Sequence, residues 1–279
     1  MYKPRLGYTT VTWAEGRSEG WLERGVKEIA GLGFKAFETF AFSAMEYDDP
    51  PGKFRKLIED NNIHLVCLDV WADYQDPSQR DEILEQHTKA IQFLKDHDGE
   101  ILLTVPTHPE GDNRWGDEEF KVAAEALNEV GKICNEYGIK NSLHPHWGTY
   151  VETKEEIEKI LDMTDPQYVF FAPDCGQIAK GDTDPVALVR KYVERVAHVH
   201  LKDVAENWPE LREMGYSLAM PEGYASLGQG TVDIRGFIEI MVDANFGGWM
   251  MGELDKDPDP KAAAEVSKRF LVEEMGFSL

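Results

Sequence analysis

The feature that constrains this chain most is an alternation, repeated eight times, of a short β-branched or aliphatic run with a longer amphipathic stretch. The runs are Arg5–Thr9, Ala36–Thr39, His64–Val70, Ile101–Val105, Asn141–His144, Tyr168–Pro173, Val196–Leu201 and Trp249–Glu253, each of a length that suits a buried strand. The stretches between them carry helical spacing. Between Asp81 and Leu94, the residues Ile83, Leu84, His87, Ala90, Ile91 and Leu94 recur three or four positions apart and share one face. Glu118–Tyr137 and Lys154–Met163 behave the same way. Eight strand–helix units in 279 residues give about 35 residues per unit, the size of a βαβ repeat. Eight parallel strands ringed by helices close into a barrel of about 250 residues. The pattern predicts an α/β fold, a (β/α)8 TIM barrel, as a single domain over residues 1–279.

A doubly wound open sheet would need a glycine-rich phosphate turn after an early strand, and none is present. Gly31 and Gly33 come at the end of a helical stretch and before a strand, where they read as a helix C-cap. No Pro-, Gly- or Ser-rich linker divides the chain. The segment from Asp203 to Gly230 is too long for a routine βα connection and is expected to fold in part over the barrel mouth. A second loop, Thr107 to Asp117, follows the fourth strand.

Hydrophobic residues make up 42% of the chain and charged residues 29%, which excludes intrinsic disorder. The formal charge is −23, and a surface this anionic repels phosphate backbones and acidic membranes, so neither nucleic acid nor membrane is an expected partner. An uncharged small molecule fits better; homo-oligomerisation is left open. Three widely spaced cysteines, Cys67, Cys134 and Cys175, suit a reducing compartment rather than a disulfide framework. With no secretory leader and no apolar run near the ~20 residues of a spanning helix, the expected location is the cytoplasm.

In a parallel barrel all strand C-termini open on one face, so polar residues far apart in sequence converge there. His144 and His146 close the fifth run, and His198 and His200 close the seventh. Alternation places each pair on one side of its strand. The sixth run ends in Pro173-Asp174-Cys175-Gly176 and the eighth in Met251-Gly252-Glu253. Imidazoles and carboxylates from four adjacent strands form a mixed N/O donor set, which favours Mn²⁺, Co²⁺, Fe²⁺ or Zn²⁺ over Ca²⁺. Trp13, Trp71, Trp115 and Trp147 fall just beyond strands, where indoles stack on sugar or cyclitol rings; Trp71 and Trp147 are the stronger candidates. Lys202 and Asp203 read either as catalytic groups or as an ion pair at a strand end. Glu38 reads either as a substrate ligand or as a helix cap. The acidic pairs Glu118–Glu119 and Glu155–Glu156 are first-turn helix charges.

These residues also carry a resemblance. Leu143-His144-Pro145-His146, Pro173-Asp174-Cys175-Gly176 followed by Asp184-Pro185, the run from His198 to Asp203, the run from Leu227 to Asp233, and Gly252-Glu253-Leu254-Asp255 together resemble the xylose-isomerase-like sugar isomerase/epimerase superfamily, over essentially the whole chain. From His144 to Asp203, including the stretch Trp147 to Thr153, the sequence most resembles inosose (2-keto-myo-inositol) dehydratases. The resemblance implies one metal ion held from strands five to eight, with Asp174, His200 and Glu253 as three of its ligands. The fourth position falls on His144, where the isomerase pattern has a glutamate, and Gln177 stands where many relatives place a histidine.

That departure bears on chemistry. Inverting a stereocentre takes two bases on opposite faces of a carbon, and relatives are thought to use two metal-bound glutamates. This chain keeps one, because a metal-bound neutral imidazole has no lone pair left for proton abstraction. Loss of water takes one base and one acid. The expected activity is therefore metal-dependent dehydration of a polyhydroxylated ketone such as 2-keto-myo-inositol through an enediolate, with Mn²⁺ the expected ion. The alternative is a keto-sugar isomerase or epimerase using the same ion. Glu253 or His146 is the candidate base, and His146, His198 or Lys202 the candidate acid. Glu38, Trp71, Trp147, Gln177 and His198 are the candidate substrate ligands.

Overall fold

The structure, a computed structural model, describes residues 4–109, 113–214 and 222–279. Eight strands form one sheet: β1 (Arg5–Thr9), β2 (Ala36–Phe40), β3 (His64–Ala72), β4 (Ile101–Pro106), β5 (Lys140–Leu143), β6 (Val169–Phe171), β7 (His198–Leu201) and β8 (Trp249–Gly252). Each neighbouring pair is parallel, with β8 between β1 and β7. Parallel bridges from Phe171 to Val196 and from Asp174 to His200 join β6 to β7 and close the ring. The expected (β/α)8 barrel is the fold observed.

Local chemistry sets each strand–helix unit. Asp184 caps the helix Pro185–Tyr192, Asp233 caps Ile234–Asp243 and Asp259 caps Pro260–Arg269, each accepting from backbone N–H groups of the first turn; a cap of this kind is worth about 1 kcal/mol. Glu119 and Glu156, from the two acidic pairs, complete the N-terminal boxes of helices Asp117–Tyr137 and Lys154–Met163. Helix Trp21–Gly31 ends as expected, with Gly33 at φ +99° just beyond it. The helices bury one face each, through Val26 and Ile29, Ile91 and Leu94, and Leu127 and Val130, all fully buried; each such side chain contributes roughly 1.5–3 kcal/mol of burial. Inside the barrel, Cys67, Leu103, Val105 and Met251 pack together. Gly7 leaves room there, since a Cβ on it would lie 2.9 Å from the Ala36 carbonyl oxygen and against the end of Met251.

The segment after β7 is built from Asp203–Val204 paired antiparallel with Tyr224–Ala225, and a short helix Trp208–Glu213 between them; the rest of that loop, residues 215–221, lies outside the described residues, as do residues 110–112 of the loop after β4. Lys202 and Asp203 are not an ion pair. Asp203 instead accepts from the backbone N–H groups of Gly228, Gly230 and Val232 at 2.9–3.0 Å and staples the loop. Trp13 is core rather than mouth: it is buried edge-on against Tyr8, with its N–H on Glu28. Trp115 stacks on Tyr150. The three cysteines are free and buried, and no helix among the described residues is long and apolar enough to cross a membrane.

Candidate active site

Four of the expected residues stand where adjacent strands end. His200 lies in β7 itself. His144 and Glu253 are the first residues past β5 and β8, still held to the sheet by backbone bonds from their N–H groups to Thr104 and Leu201. Asp174 follows β6 and opens the helix Cys175–Lys180, its Oδ1 accepting from Gly176 N at 2.7 Å and Gln177 N at 2.9 Å. That cap fixes the carboxylate and leaves Oδ2 free to face the barrel axis.

There the donor atoms converge. His144, Asp174 and His200 offer ligand atoms all within 4.8 Å of one another. His200 Nδ1 lies 3.8 Å from Asp174 Oδ2 and 2.5 Å from Glu253 Oε2. Asp174 Oδ2, His200 Nδ1 and Glu253 Oε2 are buried and have no hydrogen-bond partner. His144 Nδ1 faces the Ala172 carbonyl at 3.2 Å; a carbonyl only accepts, so Nδ1 carries the proton and Nε2 the lone pair. Buried polar atoms left without hydrogen bonds cost free energy, and two carboxylates and one imidazole left so beside the neutral ring of His144 form a set that a cation would satisfy.

Lys202, fully buried, forms ion pairs with three carboxylates, Asp174 Oδ2 at 3.3 Å, Glu253 Oε1 at 2.7 Å and Asp255 Oδ1 at 2.6 Å. Burial alone would lower its pKa, but Asp174, Asp255 and Glu253 outweigh that and hold it well above the ordinary value. Burial would likewise raise the Glu253 carboxyl, yet Lys202 and His200 hold it well below the usual range. Asp174 goes the other way, pushed up by burial to about 6. His144 is driven down by burial and then by His200 and His146, which keeps it neutral, the form that ligates.

His146 has both nitrogens engaged. Gln177 Oε1 accepts from Trp147 N at 3.1 Å and from the Tyr224 hydroxyl at 2.6 Å, so the amide nitrogen is the end that lies 2.8 Å from His146 Nε2 and donates to it. His146 Nδ1 then carries the proton and donates to the Trp147 carbonyl at 2.8 Å. Burial pushes the ring down to about 3, keeping it neutral. Trp147 packs edge-on against Trp208, and Lys180 lies over Trp208 and Tyr224 at 4.1 and 3.3 Å while donating to the Glu222 carbonyl. The described part of the segment after β7 thus reaches Gln177 through Tyr224 and Trp147 through Trp208.

Glu38 does not cap a helix; the helix after β2, Ala41–Tyr47, starts from Phe40. It is 1% exposed and pairs with His198 and His200. Trp71 keeps a mouth position, edge-on to His146 at 5.1 Å, with a buried N–H that has no partner. Asp69, two residues earlier on β3, was not singled out from the sequence; its Oδ1 is also buried without a partner, and burial and then Glu38 hold its carboxyl well above the ordinary range. Its signal was available, since a charged residue in the apolar run His64–Val70 sits on the same side of the strand as Trp71. Tyr224 and Lys180 carry no sequence signal, because contacts made with a loop have no periodicity.

The comparisons with known proteins bear on this geometry. A curated inosose dehydratase of Clostridium beijerinckii is 27% identical over 300 residues, covering 99% of this chain and 98% of that protein. Among solved structures, the IolI protein with a bound zinc atom superposes with a TM-score of 0.78 at 17% identity, covering 99% of this chain and 100% of that one. The probable 3-DHS dehydratase AsbF of Bacillus anthracis superposes at 0.77 with 15% identity, covering 96% and 98%. The profile of the xylose isomerase-like TIM barrel family matches residues 26–274, and the chain belongs to that family.

Proposed function

We propose that this protein is a metal-dependent hydro-lyase that removes water from a polyhydroxylated ketone, with 2-keto-myo-inositol as the first substrate to test. The observation that carries the reading is the convergence of buried donor atoms without hydrogen bonds on Asp174, His200 and Glu253, held only by ion-pair contacts, beside the neutral imidazole of His144. These four residues would hold one divalent ion, and the two-nitrogen, two-carboxylate set favours Mn²⁺, with Co²⁺, Fe²⁺ and Zn²⁺ as alternatives. A bound ion supplies Lewis acidity, polarising the substrate carbonyl and acidifying the adjacent C–H. The likeness over nearly full length to a protein named inosose dehydratase supports the substrate class.

The chain's own residues supply the proton transfers. Glu253 takes the proton α to the carbonyl, and the C–H electrons pass into an enediolate. The enediolate electrons then form the C=C bond as the β C–O bond breaks, and the Lys202 ammonium gives its proton to the departing hydroxyl, which leaves as water. Lys202 recovers its proton from Glu253 across the 2.7 Å contact, so acid and base return together to their starting states. His146 is left in a positioning role because Gln177 occupies its one lone pair. Trp71 offers a face and a free N–H to the substrate.

Incubation of metal-loaded protein with 2-keto-myo-inositol in D₂O tests the reading. The expected product has lost water, and Lys202→Met lowers its rate by about 10²–10⁴-fold while leaving the ion bound. Recovery of an epimer alone supports the isomerase reading instead.

A further inference from the structure

Behind His200, on the side away from Asp174 and Glu253, stands the carboxylate of Glu38, the middle residue of β2. Its Oε2 lies 2.6 Å from His198 Nε2 and its Oε1 2.6 Å from His200 Nε2. The two histidines are two residues apart on β7, so their rings leave the strand on the same side, and one carboxylate reaches both. All three side chains are at most 2% exposed, so no water screens them.

Carboxylates meet His200 at both nitrogens, Glu38 Oε1 at Nε2 and Glu253 Oε2 at Nδ1; burial would lower the pKa of the ring, but the two carboxylates outweigh it, so the ion-free ring holds a proton on each nitrogen. A carboxylate oxygen at 2.6 Å is attracted to an imidazole N–H and repelled by a lone pair. The approach to His200 is oblique and leaves Glu38 Oε1 and His200 Nε2 without an in-line hydrogen bond, but the sign of the preference is the same. An ion seated beside Asp174 Oδ2 and Glu253 Oε2 would take the place of the Nδ1 proton, and Glu38, keeping the proton on Nε2, leaves the Nδ1 lone pair for it.

We propose that Glu38 is a positioning residue that holds His200 in the Nε2–H tautomer and so presents Nδ1 to a divalent ion, with His198 as the second anchor of the same carboxylate. This rests on the reading of His144, Asp174, His200 and Glu253 as a metal centre. Sequence reasoning placed Glu38 and His198 against the substrate; here they act through the ligand instead. Removing a carboxylate that orients a ligating histidine costs about 10–100-fold in metal affinity.

The test is direct metal binding by the full chain, stripped with a chelator and titrated with Mn²⁺. Glu38→Gln keeps the shape but removes the charge and leaves one neutral acceptor where two imidazoles each met a carboxylate oxygen. The Mn²⁺ dissociation constant is expected to rise about 10–100-fold, the Co²⁺ absorption spectrum to shift, and the same substitution in a His200→Ala chain, read with the tighter ion Zn²⁺, to add no further loss. Should circular dichroism show metal-free Glu38→Gln unfolded, Glu38→Asp carries the same expectation at several-fold. Wild-type affinity in the variant, an equal loss in the His200→Ala chain, or two ions per wild-type chain with one lost in Glu38→Gln overturns the proposal and leaves the metal centre standing. A wild-type chain that binds neither Mn²⁺ nor Co²⁺ overturns both.

Discussion

The Tyr224 hydroxyl donates to Gln177 Oε1 at 2.6 Å, across 47 residues of sequence. This bond ties the loop after β7 to the barrel mouth, and it also decides which end of the Gln177 amide meets His146. Tyr224→Phe keeps the ring beneath Lys180 but frees the amide to turn. A lost hydrogen bond of this kind is worth about 1 kcal/mol, so kcat/KM is expected to fall by about 5–10-fold with metal affinity unchanged. The ¹⁵N shifts of His146 are expected to lose their single-tautomer signature. Kinetics and shifts identical to wild type would detach the loop from the chemistry.

Asp174 does two jobs with two oxygens: Oδ1 caps the helix Cys175–Lys180 and Oδ2 faces Lys202 and His200. Asparagine caps helices about as well as aspartate but removes the charge. Asp174→Asn is expected to leave metal-free unfolding in urea within about 1 kcal/mol of wild type while weakening Mn²⁺ binding by at least about 100-fold. A large loss of stability with metal binding retained would invert that division.

Away from the mouth, His87 is buried with Nδ1 on the Ile83 carbonyl at 2.6 Å and Nε2 on the Tyr74 hydroxyl at 2.8 Å. Burial pushes its pKa down to about 4 from 6.5. The unfolded chain therefore binds a proton that the folded chain refuses between these two values. Stability contributed by this site is full above pH 6.5 and is lost as pH falls toward 4, at up to about 1.4 kcal/mol per pH unit. Urea unfolding at a series of pH values checks this; His87→Gln is expected to flatten the slope by close to one proton. An unchanged slope would show that the ring is charged in the fold.

The barrel was legible because eight buried strands and eight one-faced helices impose their periods on the sequence. His144, Asp174, His200 and Glu253 were legible for a related reason: strand ends in a parallel barrel share one rim, so position along the strand predicts position in space. What the sequence could not show was direction within that rim. Glu38 pairs with both His198 and His200, and one carboxylate meeting two histidines across β2 and β7 is a three-body contact that strand periodicity does not announce. Lys202 pairs with Asp174, Glu253 and Asp255 rather than its neighbour Asp203, since adjacent residues on an extended chain point to opposite sides. Strand limits shifted by one or two residues where the chain turned into a cap, as at Pro173 and Asp174.

The most direct test of the account is the rate of water loss from 2-keto-myo-inositol, followed by product NMR, as Mn²⁺ is returned to chelator-stripped protein. The expected result is no turnover without the ion and a rate that rises linearly to a plateau at one Mn²⁺ per chain. Dehydration that survives metal removal, or reconstituted protein that binds the ion at these residues yet releases only an epimer, would contradict it.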